Sequence, residues 1–163
     1  MVLEGLVDRE IRDKVSILLA YQRDSPIHVR IICPHIRNVV LPDHKTISQK
    51  LRQLITNKSA LVTLVVNPRW MKKTKEDRSF LQELEDAGVK VHYKRDLHAK
   101  AVLLDSKHEY GLLVSTANLT TTGLDRGQEV GIYILNDHRE VFEKLDRYIT
   151  GLLKENKKPE KKT

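Results

Sequence analysis

The sequence predicts an α/β domain: a mixed, largely parallel sheet flanked by helices on both faces. Three observations predict it. Segments rich in β-branched residues alternate with amphipathic helical segments in the first half of the chain. Residues 61–66 (LVTLVV) form a nearly continuous apolar run, the pattern of a strand buried on both faces. The chain has 163 residues, 40% of them hydrophobic, enough for one packed core and too few for two catalytic domains.

Each element follows from its own pattern. Leu3, Leu6, Val7, Ile11, Val15, Leu18 and Leu19 recur at spacings of three and four, so an amphipathic helix is expected within residues 1–24, closed by the Ser25-Pro26 break. Residues 27–33 (IHVRIIC) alternate and are β-branched, a strand that stops at Pro34. A helix over 46–56 puts Ile47, Leu51, Leu54 and Ile55 on one face. After the buried strand 61–66, a helix over 78–87 ends at Gly88. Strands are expected over 89–93, 98–104, 111–115 and 129–135. A closing helix over 137–153 holds Val141, Leu145, Tyr148, Ile149 and Leu152 in phase. One domain therefore spans residues 1–153. Residues 154–163 (KENKKPEKKT) have no apolar side chain and read as a disordered basic tail.

Charge narrows the partners. Lys and Arg total 29 against 22 Asp and Glu, a net charge of +7, which favours phosphate-bearing polymers such as DNA or RNA. The single Cys33 excludes an internal disulfide framework and a Cys-rich zinc ribbon, and suits a reducing compartment. The apolar run 15–21 is too short to span a membrane, and Glu4, Asp8, Glu10 and Asp13 ahead of it are wrong for a signal peptide. The expectation is a cytoplasmic protein without stable membrane association.

The chemistry concentrates in the second half. His98-Ala-Lys100-Ala-Val-Leu-Leu-Asp105 has the form H-x-K-x4-D. Residues of these types, at their abundance here, produce roughly 0.05 accidental matches, so context must decide. On a strand, His98 and Lys100 share a face, which sets an imidazole beside an ammonium. Ser115, Thr116 and Asn118 follow the next apolar strand and offer neutral donors to phosphate oxygens. Glu129 opens the strand after that and is placed to accept a proton from a histidine nitrogen.

His98, Lys100 and Asp105, then Ser115-Thr116-Ala117-Asn118 and Glu129, resemble the phospholipase D superfamily motif H-x-K-x4-D, G-[ST]-x-N, E. The resemblance covers residues 27–153. It departs at Ser115, where the family has Gly, and in the link after Asp105, three residues longer than is common. It implies a phospholipase D-like fold and a two-step phosphodiester exchange through a phosphohistidine, without metal or other cofactor. His98 is then the nucleophile, Lys100 stabilises the phosphorane, and Ser115, Thr116, Asn118 and Glu129 form the substrate-binding set. Asp105 orients neighbours. The family needs two such motifs per site and this chain carries one. The resemblance therefore implies a homodimer with the site on the twofold axis.

The loop after the 61–66 strand supplies Arg69, Trp70, Lys72, Lys73 and Lys75 where open α/β sheets place their sites. These residues read equally as phosphate contacts with one stacking aromatic or as a solvated loop. His35 is ambiguous between pocket wall and surface. Among functions, a metal-independent endonuclease-like phosphodiesterase leads. A phospholipid hydrolase or transferase keeps the chemistry, but the sequence offers no evident apolar approach surface. A catalytically inactive nucleic-acid-binding module is the third reading.

Overall fold

The computed structural model describes residues 2–20 and 27–154. The strands are β1 (Val2–Val7), β2 (His28–Ile32), β3 (Leu61–Val66), β4 (Lys90–Tyr93), β5 (Ala101–Asp105), β6 (Tyr110–Ser115) and β7 (Val130–Leu135). The helices are α1 (Arg9–Ala20), α2 (Ile47–Lys58), the four-residue α3 (Pro68–Met71), α4 (Lys75–Asp86) and α5 (Arg139–Lys154), with a turn of π-helix over Thr122–Arg126. No described helix is long and apolar enough to cross a membrane.

All seven strands form one sheet in the order β1-β7-β6-β5-β2-β3-β4. The mixed α/β architecture is as expected, but the proportion of parallel pairing is not. Only β2–β3 and β3–β4 run parallel. The pairs β2–β5, β5–β6, β6–β7 and β1–β7 are antiparallel. Helical crossovers serve the first half. The polar turn after Asp105 is too short for a crossover and makes a hairpin instead.

Helices cover both faces. Ile11, Val15, Leu18 and Leu19 of α1, Ile47, Leu51 and Leu54 of α2, and Phe80, Leu81 and Leu84 of α4 pack on one side. On the other side α5 is the one described helix, burying Phe142, Ile149 and Leu152 against Ile32, Val65, Leu103, Leu112 and Ile134. β3 and β5 lie between, which is why LVTLVV and AVLL are nearly continuous apolar runs.

The N-terminal expectation needs correction. Residues 2–7 are a strand, not the first turns of a helix: each pairs with β7, from Val2 opposite Leu135 to Val7 opposite Val130. Asp8 takes a left-handed φ of 49°, and the helix starts only at Arg9. The spacing of Leu3, Leu6 and Val7 fits either element. What decides is the open edge of β7, whose backbone groups need partners. The Ser25-Pro26 break lies outside the described residues, as does the basic tail apart from Lys154, the last residue of α5.

Strand directions place the carboxyl ends of β1, β2, β3, β4 and β6 at one rim of the sheet, together with the amino ends of β5 and β7. Every residue singled out from the sequence except Asp105 belongs to this rim. Because α5 is the only helix on its face among the described residues, Phe142→Ala, at a side chain 3% exposed and 5.2 Å from the Tyr110 ring, should cost about 3–5 kcal/mol in denaturant unfolding. A loss below about 1 kcal/mol would mean that α5 does not hold the sheet's second face.

Candidate active site

β5 begins at Ala101, so His98 and Lys100 precede the strand rather than lying within it as expected. One backbone bond continues past the strand end to Lys100: the Ser115 N–H donates to the Lys100 carbonyl at 3.2 Å. His98, Lys100, Ser115 and Thr116 line one cleft of about 320 Å³, walled by Ile32, Val114, Leu145, Tyr148 and Ile149. His98 is exposed, and the Lys100 ammonium donates to the His98 carbonyl at 2.9 Å. The backbone thus fixes the cation beside the imidazole-bearing residue. A larger hollow of about 550 Å³ is lined by Glu4, Glu10, Asp13 and Lys14, and its acidity suits no phosphate.

Thr116 and Glu129 come together at the mouth of β6 and β7. The Thr116 N–H donates to the Val130 carbonyl at 3.0 Å, and its hydroxyl donates to the Glu129 carboxylate. Glu129 was expected to accept from a histidine; here its carboxylate accepts from Thr116. Its backbone is anchored separately, the Asp8 N–H donating to its carbonyl at 2.9 Å and its own N–H to the Asp8 carboxylate at 3.1 Å.

Asn118 turns its Oδ1 inward, accepting from the His35 N–H at 3.4 Å, with the Cys33 thiol 3.6 Å away. That orientation leaves the amide NH₂ as the donor end. Gly123 packs on the Asn118 backbone so closely that a Cβ there would collide with its carbonyl oxygen, which fixes the run from Asn118 to the π-helical turn. The Leu119 N–H donates to Cys33 Sγ at 3.3 Å. Burial pushes the Cys33 thiol up to about 11, against the opposing influence of the Leu119 and His35 backbones and the nearby Lys100 charge. A thiol so protonated is no nucleophile at neutral pH.

Asp105 is not brought to the cleft. It ends β5, about 17 Å along the strand from Lys100. Burial raises its pKa; Arg30, His28 and Arg139 oppose the rise and Asp146 adds to it. Arg30 pairs with Asp146 at 3.0 Å, bridging the sheet to α5 at that rim. Asp105 belongs to this ionic group under α5, a structural place.

The loop after β3 is more ordered than a solvated loop. Asn67 caps α3, its side chain accepting the Arg69 N–H at 2.9 Å, with Pro68 in the first turn. Trp70 is half exposed, and the Lys73 ammonium stands 5.9 Å from its ring centroid. The Lys72 ammonium lies 4.1 Å from the Tyr93 centroid. Sequence reasoning missed Asp77, only 2% exposed, which accepts from Thr74 Oγ1 at 2.7 Å, Arg37 Nε at 3.2 Å and His35 Nε2 at 3.2 Å. Thr74-x-x-Asp77 is a capping signature, and that signal was available. Among the described residues no three His, Cys, Asp or Glu side chains are placed to share a metal ion.

Comparison with known proteins gives a family and a fold. The sequence model described as "Cardiolipin synthase, PLD-like domain" matches residues 12–153. NucT from Helicobacter pylori is similar over 93% of this chain and 95% of its own, at 16% identity and a TM-score of 0.65. Nuc from Salmonella typhimurium, a phospholipase D family member, covers 91% of this chain and 93% of its own at 12% identity and 0.64. Phosphatidylserine synthase from Haemophilus influenzae covers 91% of this chain with 36% of its own at 14% and 0.65. No curated protein matches the sequence.

One test concerns Asp77. Burial opposes its charge, but hydrogen bonds from Thr74, His35 and Arg37 outweigh that and hold its pKa below the usual range. A carboxyl depressed in the folded state contributes stability that is present above its unfolded pKa of about 3.9 and is lost as pH falls through the folded value. Asp77→Asn should therefore lower the Tm at about pH 5, with the gap from wild type closing as pH falls below about 4. A gap that widens in acid would reverse the sign assigned here.

Proposed function

The chain belongs to the family of phospholipase D-like domains, a superfamily of phosphodiesterases, and on that premise we propose that it is a metal-independent nuclease whose site two subunits share. The observation that carries the reading is the convergence of His98, Lys100, Ser115 and Thr116 on one cleft. An unprotonated His98 attacks phosphorus, forming a P–N bond as the bond to the leaving oxygen breaks. Lys100 offsets the negative charge gained by the equatorial oxygens, and Thr116 and the Asn118 amide hold them. The leaving oxygen takes its proton from the second subunit's His98, and water then attacks phosphorus to release the histidine.

Substrate choice does not follow from fold, since a phosphatidylserine synthase shares it. Net charge of +7 and the cations of Arg69, Lys72 and Lys73 at the same rim support a polyanion. A specific observation favours a second reading, a lipid phosphodiester: the wall of Leu145, Tyr148 and Ile149 is apolar, and an exposed apolar surface absent from the sequence reading adjoins it. Val130 lies opposite Val7, and Ile132 opposite Val114, so these four share a sheet face, with Val130, Ile132 and Val7 more than half exposed. Val114 also lines the cleft. A surface continuous with the site suits a second copy related by a twofold axis, which would bring two His98 side chains to one phosphate.

Cleavage of labelled single- and double-stranded DNA and RNA should persist in EDTA and vanish in His98→Ala and Lys100→Ala. Asn118→Ala should lose about 10²- to 10³-fold, as for one oxyanion donor. Cleavage abolished by chelator and restored by Mg²⁺ would sink the mechanism; turnover of phospholipid vesicles with nucleic acid untouched would select the lipid reading. Subunit sharing has its own test. Equal amounts of wild type and His98→Ala, once exchanged, should leave about a quarter of dimers fully wild type in place of half, so activity should fall to roughly half. Constant activity during demonstrated exchange would show that each chain works alone.

A further inference from the structure

Beside the phosphate-binding groups, above the carboxyl ends of β2 and β3, stands a set of side chains that the phosphodiester chemistry leaves without a role. The Asp77 carboxylate is almost fully buried and accepts from His35 Nε2 at 3.2 Å, while Thr74 and Arg37 fix the carboxylate itself. A buried charge held by three donors is a stiff support, and it sets the plane of the imidazole. That plane lies nearly parallel to the Trp70 indole, with ring centroids 6.1 Å apart and 21° between planes. Trp70 is held from the other side too, because its short helix is capped by Asn67, whose Nδ2 donates to the Arg95 carbonyl at 2.6 Å.

The indole thus stands beside groups fixed by hydrogen bonds to two buried side chains, Asp77 and Asn67, and yet remains 50% exposed. Core packing needs no such arrangement around a half-exposed ring. The location is equally specific: the His35 N–H donates to Asn118 Oδ1 at 3.4 Å, so the stacked pair is one hydrogen bond away from a residue assigned to the phosphate. Lys73, 5.9 Å from the indole centroid, adds a cation for a neighbouring phosphate.

We infer that the His35–Trp70 pair is a stacking platform for an unpaired nucleobase next to the scissile phosphate, and that the site therefore takes single strands. A flat, sequence-blind aromatic surface flanked by cations is the chemistry that binds unpaired bases. A duplex hides those faces in its own stack. The inference rests on the nuclease reading of the cleft and adds the strand state of the substrate.

Trp70 is the only tryptophan in the chain, so its fluorescence reports on the platform directly. The full chain is titrated with a single-stranded oligothymidine, an abasic strand of equal length, the duplex and thymidine monophosphate. The base-bearing single strand should quench Trp70 and bind roughly 5- to 150-fold more tightly than the abasic strand, the range expected of one stacked base. Trp70→Ala should bring that ratio to about one, and Trp70→Phe should restore part of it, with far-UV circular dichroism unchanged in both. Equal affinities for base-bearing and abasic strands overturn the platform, and quenching by the duplex or the mononucleotide as strong as by the single strand overturns the strand assignment. Cleavage is scored separately. Cleavage of base-bearing and abasic strands at equal rates refutes the platform alone, whereas quenching by the base-bearing strand without cleavage upholds the platform and refutes the nuclease reading.

Discussion

Ala101 opposite Val114 and Ser115 opposite Gly131 set the register of β5, β6 and β7, and the cleft depends on that register. It carries the Lys100 carbonyl to the Ser115 N–H and the Val130 carbonyl to the Thr116 N–H, which brings three strand ends into one polar mouth. A slip of one residue would turn every side chain to the opposite face. Leu103 sits under α5 while Leu104 joins the core beneath α1, and both are essentially inaccessible. Apolar packing on two faces therefore guards the alignment of the polar groups at the strand ends.

Two carboxylates, Asp77 on α4 and Asp105 on β5, show how the same residue type takes opposite character. Asp77 is the more buried, yet three donors point at it and it stays ionised. Asp105 lies at the far rim, where burial outweighs the surrounding cations and lifts its pKa. Hydrogen-bond supply, and not depth alone, decides which carboxylate can support another side chain. The Cys33 thiol follows the same rule in reverse, with too few donors to offset full burial.

Much of this was legible in the sequence because the patterns were driven by burial. The run LVTLVV is β3 to the residue, and the apolar face of Ile47, Leu51 and Leu54 is the buried face of α2. The parts that could not be read depend on partners distant in the chain. β1 is a strand only because β7 offers an edge, and the same leucines would serve a helix. β5 starts three residues later than alternation suggests, since the ladder, not the side-chain pattern, ends at Ala101. H-x-K-x4-D spans two rims of the sheet, so a motif compact in sequence divides between chemistry and support. His35 gained meaning only from Asp77, which lies 42 positions away in the chain.

The pairing of β1 with β7 also bears on how the molecule assembles. β5, β6 and β7 join through near neighbours in sequence, and such local hairpins close quickly. Val2 must find Leu135 across almost the whole chain, and loop-closure entropy makes that contact late and costly. The meander that aligns the cleft should therefore form while the β7 edge is still bare. Until β1 arrives, that edge is a row of unpaired backbone groups able to recruit another chain. The first strand acts as the final latch, and the interval before it closes is when the nascent protein is most exposed to misassembly.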